Sequence, residues 1–312
     1  MASYVEFYNL RDVPFGLTPD TTFFCDVECQ RGALDNILTT LYNGDSFIKV
    51  TGEVGVGKTL LSRRLLDSLD QSFVNCYIYT SDLSAEELRL AIADELGISS
   101  NSLSQNQLLH SIKVKLTELH NDGKKVVLII DEAQSLSDDA LDAIRLITNL
   151  ETKSTKLLQV VLFAQPELDE RLCAEEFRHL LQRITKTIYL WPLSKSDMEL
   201  YISHRLVSAG HPSGQLFTNR AKNMLYKSSQ GIPRILNVLC GKSLLLSYQR
   251  GLPYVDLKEI KQSMQECDDM LKVSKISINS GWVWEVLLFC SIVLALALCW
   301  VLYNYSYLKL IN

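Results

Sequence analysis

Residues 52–59 have the types and the spacing of a phosphate-binding loop. The stretch GEVGVGKT places three glycines ahead of Lys58 and Thr59 and satisfies G-x-x-x-x-G-K-[ST] in full. Its glycines let successive backbone N–H groups turn toward phosphate oxygens, and the helix that follows adds partial positive charge. The sequence therefore predicts a nucleoside triphosphate site. The predicted nucleotide-binding residues are Gly52, Glu53, Val54, Gly55, Val56, Gly57, Lys58, Thr59 and Leu60.

Two acidic residues, Asp131 and Glu132, follow the uninterrupted apolar run 126–130. Open α/β sheets place their ligands at the carboxyl ends of the strands, where this pair is expected. Asp131 and the hydroxyl of Thr59 are predicted to hold Mg²⁺, and Asp131 is also counted among the nucleotide-binding residues. Glu132 is predicted to polarise the attacking water as a general base.

A third apolar run, 157–164, ends in the polar residue Gln165. An amide at that strand end would contact the γ-phosphate or orient the water. A hydrogen bond that only satisfies the strand end accounts for Gln165 equally well. Both interpretations stay open.

The elements that position these residues alternate between strand and helix. Apolar runs at 47–50, 76–80 and 185–193 complete a set of predicted strands. Helical patterns lie between them at 84–97, 104–121 and 137–150. Alternation of this kind predicts an α/β fold, a three-layer P-loop nucleotidase with a mainly parallel sheet. Ser84 and Glu87 have the spacing of a capping box at the first of these helices.

Several motifs together resemble the AAA+ ATPases. These are PFGLTPDTTFF near the N-terminus, VVLIIDEAQ, ITNLET, LLQVVLFAQPELDERL and GIPRILN, spread over residues 4–270. Among these, the sequence resembles the secretion and pilus ATPases that include ExeA (GspA) and MshM of the MSHA pilus. The resemblance implies an AAA+ α/β domain followed by a helical lid, with ATP and Mg²⁺ as ligands. It also implies a homo-oligomeric ring.

The resemblance assigns two further catalytic residues beside Glu132 and Gln165. Arg234, within GIPRILN, matches the second sensor that reaches the γ-phosphate from the lid. Arg183 matches the zone of the arginine finger, which a neighbouring subunit supplies in trans, and Arg178 is the alternative for that role. Phe15 would line the adenine site or serve as a plain core contact.

The predicted organisation is a nucleotide-binding domain at 1–193 and a lid at 194–271, which begins with a possible cap at Ser194. A linker at 272–281, a transmembrane helix at 282–303 and a short periplasmic tail at 304–312 would follow. Residues 286–303 contain no charged side chain, and tryptophans and tyrosines flank the run. That composition is typical of a bilayer span, whereas a buried core helix is the alternative.

The N-terminus lacks the apolar core of a signal peptide. We therefore expect a single-pass protein of the bacterial inner membrane with its ATPase domain in the cytoplasm. The eight scattered cysteines fit a reducing compartment better than a disulfide framework. ExeA-like relatives continue past their span into a periplasmic domain. The short predicted tail here favours the pilus-type relatives.

Charge and motif content argue against other classes of function. The net charge of −5 makes nucleic acid an unlikely partner, since phosphate backbones attract basic surfaces. An Asn-Lys-x-Asp guanine motif does not occur, which argues against GTP. The five histidines form no ligand-spaced pair.

The sequence predicts an Mg²⁺-dependent ATPase that drives the assembly or positioning of a type IV (MSHA-like) pilus or a type II secretion complex. Its expected partners are copies of itself, inner-membrane assembly proteins of that system and the lipid bilayer. The alternative is an AAA+ ATPase of DNA transactions, of the loader or targeting type. A salt-sensitive affinity for DNA would favour that alternative.

Overall fold

The computed structural model describes residues 3–18, 23–79, 82–99, 103–151 and 156–266. Contacts divide the chain into a first unit that ends at Glu266 and a second unit, 267–312, which lies outside the described residues. The predicted linker, transmembrane helix and tail all fall in that second unit. Within the described ranges, none of the helices combines the length and the apolarity that crossing a bilayer requires.

A five-stranded sheet forms the centre of the described unit, and all of its strand pairs are parallel. The strands are β1 (Phe47–Thr51), β2 (Phe73–Tyr79), β3 (Lys125–Asp131), β4 (Leu158–Ala164) and β5 (Lys186–Tyr189). Their order across the sheet is β2-β3-β4-β1-β5. The predicted parallel sheet and its α/β class are confirmed.

Helices surround the sheet and continue beyond it. They are α1 (Ser3–Phe7), α2 (Glu28–Tyr42), α3 (Lys58–Ser68), α4 (Ala85–Glu95), α5 (Gln105–Asn121), α6 (Asp138–Ile147), α7 (Glu167–Leu172), α8 (Arg178–Leu181), α9 (Lys195–Ser208), α10 (Asn219–Ser229), α11 (Pro233–Gln249) and α12 (Leu257–Glu266). Short 3₁₀ turns occupy Ala133–Ser135 and Glu175–Phe177.

Apolar side chains pack on both faces of the sheet. In β3, Val126, Leu128 and Ile130 belong to the core that includes residues of α4, α5 and α6. Val127 and Ile129 belong to the opposite core, which includes residues of α2 and α3. Successive side chains of a strand point to opposite faces, so burial on both faces requires the uninterrupted apolar run seen in the sequence.

Two strands differ from their predicted bounds because of their partners. The strand predicted at 185–193 covers only Lys186–Tyr189, since β5 lies at the sheet edge and pairs with β1, which ends at Thr51. The strand predicted from residue 76 begins earlier, at Phe73, because it pairs in register with β3 from Lys125 onward. Pairing partners therefore set the strand ends.

Helix caps agree with the sequence patterns. Ser84 and Glu87 form the predicted capping box at α4. The Ser194 hydroxyl accepts a hydrogen bond from the backbone N–H of Asp197 and caps α9. Helices α9 to α12 fill the described part of the range predicted for the lid. The domain boundary at 193/194 stays a prediction.

Candidate nucleotide-binding site

The phosphate loop connects the carboxyl end of β1 to the first turn of α3. Gly55 and Gly57 adopt φ angles of +83° and +105°, a region that side chains other than glycine rarely occupy. A Cβ atom at Gly52 would lie 2.7 Å from the carbonyl oxygen of Leu190, and one at Gly55 would lie 2.7 Å from Cβ of Arg234. Glycine is therefore needed at Gly55 and Gly57 for the positive φ angle, and at Gly52 and Gly55 for the close approach of neighbouring atoms.

Lys58 is buried at the start of α3, and its ammonium group bonds to the loop itself. Nζ donates to the carbonyl oxygens of Gly52, at 2.8 Å, and Glu53, at 3.0 Å. Burial lowers the pKa of Lys58, and the nearby carboxylates of Glu132 and Asp131 act in the opposite direction. The side-chain nitrogen therefore lies inside the curve of the loop, bonded to two of its carbonyl oxygens.

Asp131 ends β3 and is completely buried. Its carboxylate accepts hydrogen bonds from the backbone N–H of Glu132 at 3.0 Å and from the Tyr77 hydroxyl at 3.3 Å. Burial raises the pKa of Asp131, while a hydrogen bond from the Thr59 side chain lowers it. The structure thus brings the two predicted Mg²⁺ ligands together.

The Asp131 carboxylate and the Thr59 hydroxyl are oxygen ligands of the type that Mg²⁺ prefers. A buried carboxylate and a hydroxyl are hard oxygen ligands, and Mg²⁺ is bound in proteins through one or two such groups together with phosphate oxygens and waters. Among the described residues there is no cluster of three or more His, Cys, Asp or Glu side chains able to hold a metal. The arrangement suits a cation that arrives with a nucleotide.

Glu132 and Gln165 contact each other at the ends of neighbouring strands. Gln165 Nε2 donates to Glu132 Oε2 at 3.0 Å. Glu132 has a φ of +55°, and a 3₁₀ turn follows it directly. The side chain of Gln134 also donates to Glu132 Oε2, at 2.6 Å. Gln134 was not among the predicted site residues, although it is part of the DEAQ sequence.

Arg234 reaches the phosphate loop from α11, a helix in the range predicted for the lid. Pro233 occupies the first turn of α11, as its fixed φ favours. The backbone N–H of Arg234 donates to the carbonyl oxygen of Gly55 at 3.2 Å, and its side chain is exposed at the wall of the cavity. Arg234 therefore lies beside the loop, where the resemblance expects a sensor.

A cavity of about 240 Å³ joins these groups. On the sheet side it is lined by the loop, Glu132 and Gln165. On the lid side it is lined by Tyr201, Arg205, Pro233, Arg234 and Asn237, and by Gly16–Thr18 of the N-terminal segment. The cavity extends from the predicted catalytic groups to a wall of lid residues.

A buried polar network forms part of that wall. Arg205, which is 6% exposed, donates from Nε to the Pro14 carbonyl and from Nη1 to the Tyr201 hydroxyl at 2.9 Å. The Tyr201 hydroxyl donates to Asn237 Oδ1 at 3.0 Å. Arg205 also lies 4.8 Å from the centroid of the Phe23 ring. Sequence analysis missed this network, because α9 carries no motif that marks Tyr201 or Arg205.

Phe15 packs in the core rather than against the cavity. It is 5% exposed, and its ring meets that of Phe217 edge-to-face at 6.0 Å between centroids. The neighbouring residues 16–18 line the cavity instead. The core-contact interpretation of Phe15 therefore fits better than an adenine wall.

Arg183 lies away from the phosphate loop of its own chain. It precedes the amino end of β5, whereas the loop follows the carboxyl end of β1, the parallel neighbour. Its Nη1 donates to Thr148 Oγ1 at 3.3 Å, and it lines a separate cavity of about 580 Å³. Arg178 is exposed at the start of α8. An action of Arg183 on the site of its own chain does not fit this placement.

Comparison with known proteins identifies a family match and a similar secretion protein. Residues 41–172 match the model of the AAA domain family. General secretion pathway protein A of Aeromonas hydrophila is 38% identical over 249 residues, which is 80% of this chain and 45% of that protein. The chain therefore spans less than half the length of this relative.

Solved structures of low sequence identity share the fold. The ORC2 protein of Aeropyrum pernix, solved in ADPNP–ADP complexes, has a TM-score of 0.59 at 14% identity and covers 80% of this chain and 72% of its own. The ORC1 protein of the same organism, solved in complex with DNA, has a TM-score of 0.59 at 18% identity, with coverages of 81% and 69%. Residues 41–172 of this chain thus match the AAA domain family, and the chain is similar to General secretion pathway protein A.

Proposed function

We propose that this protein binds ATP together with Mg²⁺ and hydrolyses it. The observation that carries the proposal is the meeting of the phosphate loop with Glu132 and Gln165 around one cavity, with Asp131 bonded to Thr59 of that loop. Each group has the chemistry that phosphoryl transfer to water needs. The AAA domain match and the relative from A. hydrophila support the same activity.

The roles follow from position. Backbone N–H groups of the loop and the Lys58 ammonium cradle the phosphates, while Thr59 and Asp131 hold the Mg²⁺ that offsets their charge. Glu132 accepts a proton from the attacking water, and Gln165 orients the carboxylate or the γ-phosphate. Arg234, exposed beside Gly55, adds positive charge from the lid.

The active form is a homo-oligomeric ring in this proposal. Arg183 lies at the opposite strand end from the loop of its own chain, half-buried at a second cavity. A group in that place acts on the nucleotide of a neighbouring copy. An arginine supplied in trans stabilises the charge of the transition state.

The proposed cellular role of the ATPase is supported by the similar secretion protein and by the amino-acid sequence. Similarity to General secretion pathway protein A supports a role in a secretion complex or in a related type IV, MSHA-like pilus. The apolar segment 286–303 supports anchoring in the inner membrane, with the ATPase domain in the cytoplasm. Flotation of the full chain with lipid vesicles tests the anchor, and a chain that stays in the dense fractions would contradict it.

The test of the ATPase is hydrolysis measured against protein concentration for the full chain. We expect specific activity to rise with concentration, and to be lost in Glu132→Gln and in Arg183→Ala. Mixing the two inactive variants restores part of the activity, because each supplies the group that the other lacks. Arg178→Ala tests the alternative finger and is expected to keep its activity, while Arg220→Ala, in an exposed arginine of α10, is the matched control.

Two results would contradict parts of this proposal. Activity that is independent of concentration and insensitive to Arg183→Ala would mean a monomeric ATPase. Full activity in Glu132→Gln would remove the proposed general base.

A further inference from the structure

We infer that Gln134 positions the Glu132 carboxylate and couples it to Gln165. The inference rests on the proposed function, since it concerns the same hydrolysis. It adds a residue that touches the general base without touching the reacting atoms. Gln134 is therefore a positioning residue.

Three hydrogen bonds join these residues in a closed ring. Gln134 Nε2 donates to Glu132 Oε2 at 2.6 Å, and Gln165 Nε2 donates to the same oxygen at 3.0 Å. The ring closes where the backbone N–H of Gln165 donates to Gln134 Oε1 at 3.1 Å. One amide side chain thus bonds to the acid at the end of β3 and to the backbone at the end of β4.

The backbone brings Gln134 back over Glu132. Glu132 holds a left-handed conformation at φ +55°, a region that residues with a side chain rarely adopt. The N–H of Ser135 then donates to the Glu132 carbonyl at 2.9 Å and closes the 3₁₀ turn. Such strain persists where the surroundings hold it, and the side-chain amide of Gln134 supplies one such contact.

A second set of contacts fixes Gln134 itself. Arg171 of α7 donates from Nη1 to the Gln134 carbonyl oxygen at 2.8 Å and pairs with Asp138. The same helix is bonded to β1, because Asp169 pairs with the buried Lys49. Gln134 is therefore connected to the sheet through α7.

The consequence for catalysis concerns orientation. Both amide donors act on Oε2 of Glu132, which restricts rotation of the carboxylate about its terminal bond. A general base works only within hydrogen-bond reach of the proton that it accepts, so restricted rotation keeps the group productive. Because Gln134 also receives the N–H of Gln165, movement at either strand end is transmitted to the base.

The test compares Gln134→Met, which keeps length and removes the hydrogen bonds, with Gln105→Met. Gln105 is a half-buried glutamine of α5 that bonds to Arg89 and lies outside the nucleotide cavity. We expect kcat of Gln134→Met to fall on the order of 10- to 100-fold, with KM and ATP affinity within about twofold of wild type. For Gln134→Asn, which keeps an amide donor on a shorter side chain, we expect a kcat between that of Gln134→Met and that of the unchanged chain. Gln105→Met keeps the kcat of the unchanged chain.

Each outcome decides the inference. An unchanged or higher kcat in Gln134→Met overturns the inference, since the hydrogen bonds of Gln134 would then be unnecessary for hydrolysis or would slow it. Loss of ATP affinity or of folding in both Gln134 variants also overturns it, because the residue would be structural. If the unchanged chain hydrolyses no ATP, the proposed function fails and the inference fails with it. If the unchanged chain hydrolyses ATP and the Gln134 variants keep its kcat, the inference fails and the proposed function stands.

Discussion

The two sides of the nucleotide cavity are built differently. On the sheet side, Lys58, Asp131 and Glu132 each belong to a short motif at a strand end, and their partners lie close along the chain or on the adjacent strand. On the lid side, Arg205 from α9 joins Asn237 of α11 through a shared tyrosine and reaches back to the N-terminal segment.

The partners of the buried charges differ in the same way. Both cations donate to backbone carbonyl oxygens, but Lys58 also lies near two carboxylates, whereas Arg205 also bonds to a hydroxyl and lies over aromatic rings. Arg205 thus connects α9 to the N-terminal segment at Pro14 and places its guanidinium group at the cavity wall. The comparison suggests that the sheet side performs chemistry and the lid side determines whether the cavity is assembled.

The largest expected effect on ATP affinity is on the sheet side, from Lys58→Ala. Loss of a charged donor to phosphate in a buried site costs about 2–3 kcal/mol, which corresponds to a fall in ATP affinity of roughly 30- to 150-fold. Titration with a fluorescent ATP analogue measures it, with the exposed Lys113→Ala of α5 as the control. Equal affinities for the two variants would show that this side does not bind the phosphates.

A smaller loss in affinity but a larger loss in stability is expected on the lid side, from Arg205→Leu. The change leaves the Tyr201 hydroxyl and the Pro14 carbonyl without their donor, at a cost of about 2–4 kcal/mol in the free energy of unfolding. Urea unfolding measures the cost.

Arg220→Leu, in an exposed arginine of α10, is the control for that measurement and stays near the stability of the unchanged chain. If Arg205→Leu unfolds like this control, the lid network does not hold the cavity together, and the contrast between the two sides fails.

The smallest effect sharpens the comparison. Ser194→Ala removes the cap of α9 on the lid side, and Ser84→Ala removes the cap of α4 beside the sheet. Each is expected to cost about 1 kcal/mol. If lid and sheet unfold as one unit, both variants shift a single urea transition by similar amounts. Two separate transitions, each moved by one variant, would show that the sides unfold independently.

Much of the sheet side was predictable because its determinants are local. The apolar run of β3 predicted a strand buried on both faces, and the cores on either side confirm it. Glu132 and Gln165 were each expected at the carboxyl end of a strand, and in the structure they bond to each other at 3.0 Å. The ends of β5 and β2 were less predictable, because they depend on how far the neighbouring strands extend.

The lid side and the orientation of Glu132 were not predictable in this way. Arg205 and Pro14 lie far apart in the chain and carry no spacing pattern, so only packing shows that they bond. Gln134 stands inside a recognised motif, yet its role depends on a left-handed residue and on Arg171 from another helix. Hydrogen bonds between distant segments leave little trace in the periodicity of either segment.

The sequence by itself determined the class of fold, the phosphate loop, the acidic strand end and the apolar segment near the C-terminus. These depend on short-range constraints: backbone angles at glycines, periodic burial and residue types at fixed spacing. The tertiary structure decided which residues of α9 and α11 line the cavity, which end of the sheet holds Arg183, and how Glu132 is held. Those features are contacts between segments that are distant in the chain, and only the packed sheet and lid bring them within bonding distance.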